Sequence, residues 1–196
     1  MEAQPKKRRA GGHSPGKGQL VLTIILFLVV GIILVLVSLK DSTKRITTRP
    51  EVGRPAPDFT FPDLEGRKVS LSDHRGKVVL VNIWATWCKP CRDEMPSMQR
   101  LCDRLKGKGF EILAVSIDST GKETVRSFVN DLKLTFPVLL DPDGKIRGLY
   151  GITGVPESYV VDKNAILIER VIGPLDWSTP KVFSFFQDLI HRDVHS

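Results

Sequence analysis

Cysteine and histidine are scarce in this sequence, which has three Cys and four His among 196 residues. A structural zinc site takes four ligands, usually from two pairs of closely spaced residues. The chain has one such pair, Cys88 and Cys91, and its other cysteine and histidines are scattered, at Cys102, His13, His74, His191 and His195. This supply of ligands argues against zinc, and we expect neither a metal nor a cofactor.

An excess of basic charge is also absent from most of the chain. The formal net charge is +7, from 29 Lys and Arg against 22 Asp and Glu, but the first 54 residues hold ten basic and three acidic residues. Residues 55–196 balance at 19 of each sign. Because nucleic-acid-binding domains carry clustered basic charge, we expect the folded part to bind no nucleic acid.

A run without charged residues covers 20–39 and reads LVLTIILFLVVGIILVLVSL. Twenty helical residues span about 30 Å, the thickness of the hydrocarbon core of a bilayer, so the run predicts a transmembrane anchor. A cleaved signal peptide is the closest alternative, but its apolar region is usually about 7–15 residues long and ends in small residues. Val37-Ser38-Leu39 is a poor cleavage site, so we favour an uncleaved anchor.

The flanks of this run predict its orientation. Five basic residues precede it, four of them clustered as Lys6-Lys7-Arg8-Arg9, and four follow it. Since basic flanks stay inside, this margin favours a cytoplasmic N-terminus. We therefore predict a cytoplasmic basic tail (1–19), a transmembrane anchor (20–39), a polar tether (40–54) and a domain on the outer side (55–196).

Strand and helix patterns alternate within residues 55–196. We predict a hairpin over 58–61 and 68–71, strands over 77–84, 110–117, 136–140, 158–161 and 165–172, and helices over 90–106, 122–132 and 178–191, the last capped by Ser178. The run 77–84 is nearly all apolar, as in a strand that is buried on both faces. The alternation predicts an α/β domain with a largely parallel sheet between helices.

Cys88 and Cys91 form the segment Trp87-Cys88-Lys89-Pro90-Cys91, where the buried strand gives way to a helix. A helix N-terminus presents unpaired N–H groups and the positive end of the helix dipole, which favour a thiolate. That thiolate can attack a substrate disulfide, and a thiol one turn later can resolve the mixed disulfide. We predict a redox-active disulfide with Cys88 as nucleophile and Cys91 as resolving thiol, and a fixed structural disulfide is the alternative.

Three further motifs surround the active segment VNIWATWCKPC (81–91): APDFT at 56–60, LSDHRGK at 71–77 and GVPESYVVD at 154–162. In this order they resemble the TlpA/ResA/CcmG-type branch of the thioredoxin-like redoxin family, over residues 53–191. The resemblance implies a central mixed sheet, an N-terminal β-hairpin and an αβ insertion. Members are membrane-anchored bacterial thiol–disulfide oxidoreductases that act outside the cytoplasm, several of them in cytochrome c maturation.

The resemblance also assigns a substrate surface. Pro156 matches a cis-proline that lies opposite the cysteines, and X-Pro bonds are the only common cis peptide bonds. The backbone of Val155 would dock the substrate beside it. Trp87, directly before Cys88, would help to shape the same surface.

Two carboxylates are candidates for taking the proton of Cys91. Glu94 matches an acidic residue of ResA-type proteins, and Glu157 matches one of the CcmG type. Thioredoxin itself has a buried aspartate where this chain has Asn82, whose amide cannot titrate. The proton should therefore pass to Glu94 or Glu157. The alternative for Glu94 is a solvated side chain that is favoured in the first turns of the helix by the helix dipole.

The predicted activity is reduction of disulfides in client proteins, with apocytochrome c as a candidate client. Pro90 between the cysteines resembles reducing thioredoxins, whereas Lys89 stabilises the thiolate and so favours an oxidant. A reductant outside the cytoplasm needs electrons from inside, so the resemblance implies a membrane electron-donor protein. The predicted location is the bacterial cytoplasmic membrane, with the C-terminal domain periplasmic or otherwise extracytoplasmic.

Two other activities and a pure binding domain are the alternatives. A thiol peroxidase of the redoxin family would have the pattern P-x-x-x-T-x-x-C, but Val81 and Ala85 stand at its Pro and Thr positions. A copper-delivery protein would need a histidine near the cysteines, and His74 precedes the strand that leads to them. The intact cysteine pair argues against a domain that only binds, and Cys102 is predicted to be inert.

Overall fold

The computed structural model describes residues 25–33 and 49–192. Residues 25–33 form a helix, α1, whose apolar side chains are exposed. The rest of the predicted anchor, the basic tail and residues 40–48 of the tether lie outside the described residues. Within the described ranges, no helix combines the length and the apolar composition that crossing a bilayer requires.

Strands and helices alternate through the domain. In chain order they are β1 (Thr60–Pro62), β2 (Lys68–Ser70), β3 (Val78–Trp84), α2 (Lys89–Leu105), β4 (Phe110–Ser116), α3 (Lys122–Asp131), β5 (Val138–Leu140), α4 (Lys145–Tyr150), β6 (Glu157–Val161), β7 (Leu167–Ile172) and α5 (Pro180–His191). A 3-10 helix, Leu71–His74, follows β2. β1 and β2 form the predicted antiparallel hairpin, apart from the main sheet.

The main sheet has five strands in the order β5-β4-β3-β6-β7. β3 pairs in parallel with β4, and β4 with β5, whereas β6 and β7 join the sheet as antiparallel strands. All seven residues of β3 are buried, as expected of a central strand that is covered on both faces. The sheet is therefore mixed, as the resemblance implied, and the carboxyl end of β3 leads directly to the cysteine pair.

Helix α2 carries the cysteine pair at its N-terminus. Cys88 is the N-cap and Pro90 lies in the first turn, where the missing N–H of proline costs nothing. The apolar residues of α2 recur every three or four positions and are fully buried, at Met95, Met98, Leu101 and Leu105. Because this face is packed in the core, the position of the N-terminal turn is fixed as well.

Two predicted boundaries near the C-terminus are wrong. Helix α5 is capped by Thr179, whose side chain accepts a backbone hydrogen bond from the first turn, and not by Ser178. The Ser178 hydroxyl donates instead to the Asp176 carboxylate at 2.6 Å. β7 begins at Leu167 rather than at residue 165, because Ala165 has a left-handed φ of 65° and belongs to the preceding turn.

Phe186→Ala should lower the free energy of unfolding by about 3–5 kcal/mol, because it leaves a cavity in the core. The ring is fully buried, and its centroid lies 5.0 Å from that of Phe110 and 5.4 Å from that of Phe185. Ile172→Ala is the control, at a side chain that is 71% exposed, and should change stability by less than about 0.5 kcal/mol. Denaturant unfolding measures both, and equal losses would contradict this description of the core.

Candidate active site

Cys88 and Cys91 are joined by a disulfide, with an S–S distance of 2.09 Å and a Cα–Cα distance of 5.3 Å. Cys88 Sγ accepts a hydrogen bond from the backbone N–H of Cys91 at 3.2 Å. Both residues are buried, but Cys88 is 5% exposed and Cys91 is 0% exposed. The outer sulfur is therefore Cys88, which receives the N–H bond and faces any incoming disulfide first.

The segment before β6 lies against this outer sulfur. The Val155–Pro156 peptide bond is cis, at the position that the resemblance assigned to it. Cys88 Sγ lies 3.5 Å from the carbonyl oxygen of Val155. Trp87 is 59% exposed beside the disulfide, so an apolar surface is available next to the reacting sulfur.

A buried carboxylate, Asp118, holds the loop that precedes the disulfide. It accepts hydrogen bonds from the Thr86 backbone N–H at 2.9 Å, the Thr86 hydroxyl at 2.6 Å and the Ser116 hydroxyl at 2.7 Å. Asp118 is not among the site residues predicted from the sequence. The available signal was its place two residues beyond the buried strand β4, which pairs in parallel with β3 and so ends at the same edge of the sheet.

Glu94 lies one helical turn after Cys91 and is only 3% exposed. Its carboxylate accepts three hydrogen bonds, from Asn82 Nδ2 at 2.9 Å, from the Leu175 backbone N–H at 3.2 Å and from Trp177 Nε1 at 3.2 Å. Burial raises the pKa of Glu94 above its ordinary value, and the three donors oppose that shift without cancelling it. The site therefore contains a buried carboxyl of raised pKa one helical turn from Cys91.

Glu157 faces the other side of the sheet. Its neighbour Ser158 pairs with Asn82 and accepts a hydrogen bond from it, so Glu157 points to the opposite face from Glu94. The Glu157 carboxylate is 1% exposed and is bound by Arg170 Nε and by the hydroxyl of Tyr159. The two predicted carboxylates are thus on opposite faces of the sheet, and Glu94 is the one on the helix that carries Cys91.

The tyrosine of that second cluster is also perturbed. Burial, followed by the hydrogen bond to Glu157, raises the pKa of Tyr159 well above its ordinary value. Tyr159 therefore stays protonated and donates to the carboxylate, while Arg170 balances its charge. Such a satisfied pair is typical of a structural ion pair.

His74 and Cys102, the side chains considered for metal or redox roles, lie away from the pair in the fold. His74 precedes β3 and Cys88 follows it, and a seven-residue strand separates its ends by about 20 Å. Among residues 25–33 and 49–192, no group of three His, Cys, Asp or Glu side chains is arranged to hold a metal ion. Cys102 is a half-buried free thiol, and burial raises its pKa, which lowers its reactivity.

Comparison with known proteins identifies the family. A family model described as "AhpC/TSA family" matches residues 52–170. The chain belongs to the AhpC/TSA family. The thiol-disulfide oxidoreductase ResA of Bacillus thuringiensis (strain Al Hakam) is 46% identical over 123 residues, which cover 63% of this chain and 70% of that protein. ResA of Oceanobacillus iheyensis is 41% identical over 158 residues, 78% of this chain and 80% of that protein.

Solved structures share the fold of this AhpC/TSA-family chain. StoA from Bacillus subtilis has a TM-score of 0.57 and 26% identity, covering 67% of this chain and 98% of StoA. A thiol:disulfide interchange protein of the thioredoxin family from Chlorobium tepidum TLS has a TM-score of 0.61 and 26% identity, covering 73% of this chain and 98% of that protein. The predicted thioredoxin-like fold and thiol–disulfide oxidoreductase activity are confirmed, and the enzyme is a protein-disulfide reductase.

Asp118→Ala should lower the free energy of unfolding by about 1–3 kcal/mol, because the Thr86 N–H and the Ser116 hydroxyl lose a buried acceptor. It should also slow disulfide exchange, since Thr86 lies two residues before Cys88. The control is Asp143→Ala, at a turn residue whose carboxylate is 67% exposed and paired with Lys145. Asp143→Ala should change the free energy of unfolding by less than about 0.5 kcal/mol. If Asp118→Ala were as stable as Asp143→Ala, Asp118 would not hold the loop before the disulfide.

Proposed function

We propose that this chain is a membrane-anchored reductase of client-protein disulfides that acts outside the cytoplasm. The observation that carries the exchange chemistry is the Cys88–Cys91 disulfide at the N-terminus of α2. Cys88 is the nucleophile in this proposal, because its sulfur is the more exposed of the two and receives a backbone N–H. Cys91 is the resolving thiol, since it is fully buried behind Cys88.

The exchange balances in two steps. In the reduced enzyme, the Cys88 thiolate attacks one sulfur of a client disulfide, and the other client sulfur leaves as a thiolate that takes up a proton. Cys91 then loses its proton and attacks Cys88 Sγ, which breaks the mixed disulfide and releases the second client thiolate. Two electrons pass to the client, and the enzyme returns to the Cys88–Cys91 disulfide.

Glu94 is the group that we assign to the proton of Cys91. It lies one turn along the same helix, it is buried as Cys91 is, and burial raises its pKa, which makes its carboxylate a stronger base. Glu157 is the weaker candidate, because its carboxylate is already bound by Arg170 and Tyr159 on the opposite face of the sheet.

The client would dock beside Cys88 through its own backbone. The Val155 carbonyl lies 3.5 Å from Cys88 Sγ, where an extended client segment could pair with it. The exposed indole of Trp87 offers apolar contact on the same surface. Backbone pairing with apolar contact selects accessible disulfides in unfolded clients, and apocytochrome c is the candidate client that the ResA resemblance supplies.

Anchoring and electron supply complete the proposal. Twenty residues without charge (20–39) are the length of a bilayer span, and the basic cluster before them favours an N-terminus in the cytoplasm of a bacterium. The tail (1–19), the anchor, the tether (40–54) and the domain (55–196) would then lie in that order across the cytoplasmic membrane. A reductase on the outer side receives its electrons from a membrane electron-donor protein.

A Cys91→Ser variant, made in a Cys102→Ser background, should accumulate mixed disulfides between Cys88 and its clients in the native host. The serine cannot resolve the intermediate, because it cannot form a disulfide with Cys88. Non-reducing gels and mass spectrometry of the captured adducts measure the result. The control is Cys88→Ser in the same background, which should capture roughly tenfold less client, because its one remaining thiol, Cys91, is fully buried.

The identity of the adducts separates the parts of this proposal. Captured apocytochrome c supports a role in cytochrome c maturation, and captured envelope proteins of other kinds indicate a broad reductase. Equal capture by the two variants, or capture by neither, would contradict the exchange mechanism.

Replacing Lys6, Lys7, Arg8 and Arg9 by Gln should reduce the fraction of chains whose domain is outside, because the charge difference across the anchor then reverses. Digestion of intact spheroplasts by an external protease measures that fraction. Replacing the four basic residues that follow the anchor is the control and should preserve or increase it. Full protection of the wild-type domain from the protease would overturn the proposed orientation.

A further inference from the structure

The segment Pro174–Trp177 connects β7 to α5 and packs against the first turns of α2. Ser97 joins the two: its hydroxyl donates to the Glu94 carbonyl oxygen at 2.7 Å, and it accepts the Trp177 backbone N–H at 3.0 Å. The Trp177 side chain is 1% exposed. The segment is therefore fixed to α2 beside Glu94, although it lies about eighty residues away in sequence.

This segment supplies two of the three hydrogen bonds that reach the Glu94 carboxylate. The Leu175 N–H and Trp177 Nε1 both donate to Oε2 at 3.2 Å, while Asn82 donates to Oε1 at 2.9 Å. All three partners are hydrogen-bond donors. An ionised carboxylate can accept from all of them, whereas a protonated carboxyl has fewer free acceptor sites. Leu175 donates through its backbone, whereas Trp177 donates through its side chain. The indole donor of this segment can therefore be removed by substitution.

Glu94 is one of the residues that line a cleft of about 320 Å³ along this segment, and neither cysteine is among them. The cleft has four other charged or polar lining residues, Asp93, Ser97 and Arg100 of α2 and Asp176 of the connecting segment. Pro174 and Leu175 complete the lining. From the sheet, the amide of Asn82 contacts Glu94 and the hydroxyl of Ser158 contacts that amide, and neither side chain titrates. Glu94 can therefore exchange a proton with water without passing through the surface where a client would bind Cys88.

We propose that Trp177 is a positioning residue for the exchange reaction, whose indole N–H holds the Glu94 carboxylate in the ionised form that accepts the proton of Cys91. This inference rests on the proposed role of Glu94. Without the indole donor, the carboxylate keeps its burial but loses part of its stabilisation, so it takes up a proton at higher pH. The resolving step then loses its base over a wider range of pH.

The first test uses the tryptophan indole resonances of the oxidised full chain in detergent micelles. The sequence has three tryptophans, so the indole N–H region of the ¹⁵N spectrum holds three assignable signals. The Trp177 signal should move with pH as Glu94 ionises, and that movement should vanish in Glu94→Gln. The internal control is Trp84, whose buried Nε1 has no hydrogen-bond partner among the described residues and whose signal should not follow Glu94.

The second test measures the resolving step directly. An aryl disulfide loads Cys88 with one coloured aryl thiol, and attack by Cys91 then releases it, so the second phase of a stopped-flow trace reports resolution. In Trp177→Phe the midpoint of the pH profile of this phase should move up by about one pH unit, with a rate about tenfold lower on the acid side. Trp84→Phe, which removes an equally buried indole, should leave the midpoint in place.

The outcomes distinguish this inference from the proposal beneath it. If Glu94→Gln leaves the pH profile of resolution unchanged, the proton role of Glu94 fails and the inference fails with it. If Glu94→Gln removes the pH dependence but Trp177→Phe does not shift the midpoint, Glu94 keeps its role and Trp177 has none. If Trp177→Phe does not fold, the indole titration of the wild-type chain decides: a Trp177 signal that does not move with Glu94 overturns the inference.

Discussion

Complete burial of β3 is the constraint on which the rest of this structure depends. The strand is covered on both faces and bonded along both edges, parallel to β4 and antiparallel to β6. Only its carboxyl end can therefore deliver a reactive group to the surface, and the disulfide of Cys88 and Cys91 follows there. The same burial means that the side-chain NH2 group of Asn82 must find its acceptors inside the protein, because an unpaired buried donor is costly.

Those partners explain how a carboxylate can be kept buried one helical turn from Cys91. Asn82 donates to both Glu94 and Ser158, so it binds α2 and β6 to the central strand. Burial raises the pKa of Glu94, and the three hydrogen-bond donors lower it. The effect of burial is the larger, so the pKa of this carboxyl lies above its ordinary value.

The sequence predicted the parts of the fold and site that depend on local pattern. The apolar run of β3, the spacing of Met95 and Met98 in α2 and the position of the cysteine pair are all short-range features, and the structure contains each of them. The cap of α5 was predicted one residue early, because Ser178 and Thr179 are equally good caps by type. The choice between them depends on Asp176, which binds the Ser178 hydroxyl and removes it from competition.

Side-chain partners across the chain could not be predicted in the same way. Glu94 and Glu157 were both candidates in the sequence, but alternation along β6 turns Glu157 to the face that carries Arg170. The partners of Asp118 and Trp177 could not be predicted from neighbouring residues, since Thr86 and Glu94 lie more than thirty positions away from them.

The sequence by itself determined that this chain has a redox-active pair at the start of a helix, because strand, helix and C-x-x-C spacing are encoded in neighbouring residues. Only the tertiary structure decided which face of the sheet each carboxylate occupies and which donors surround Glu94. Burial and hydrogen bonding, which set the ionisation of Glu94, are made by segments that meet only when the sheet and its helices have packed together.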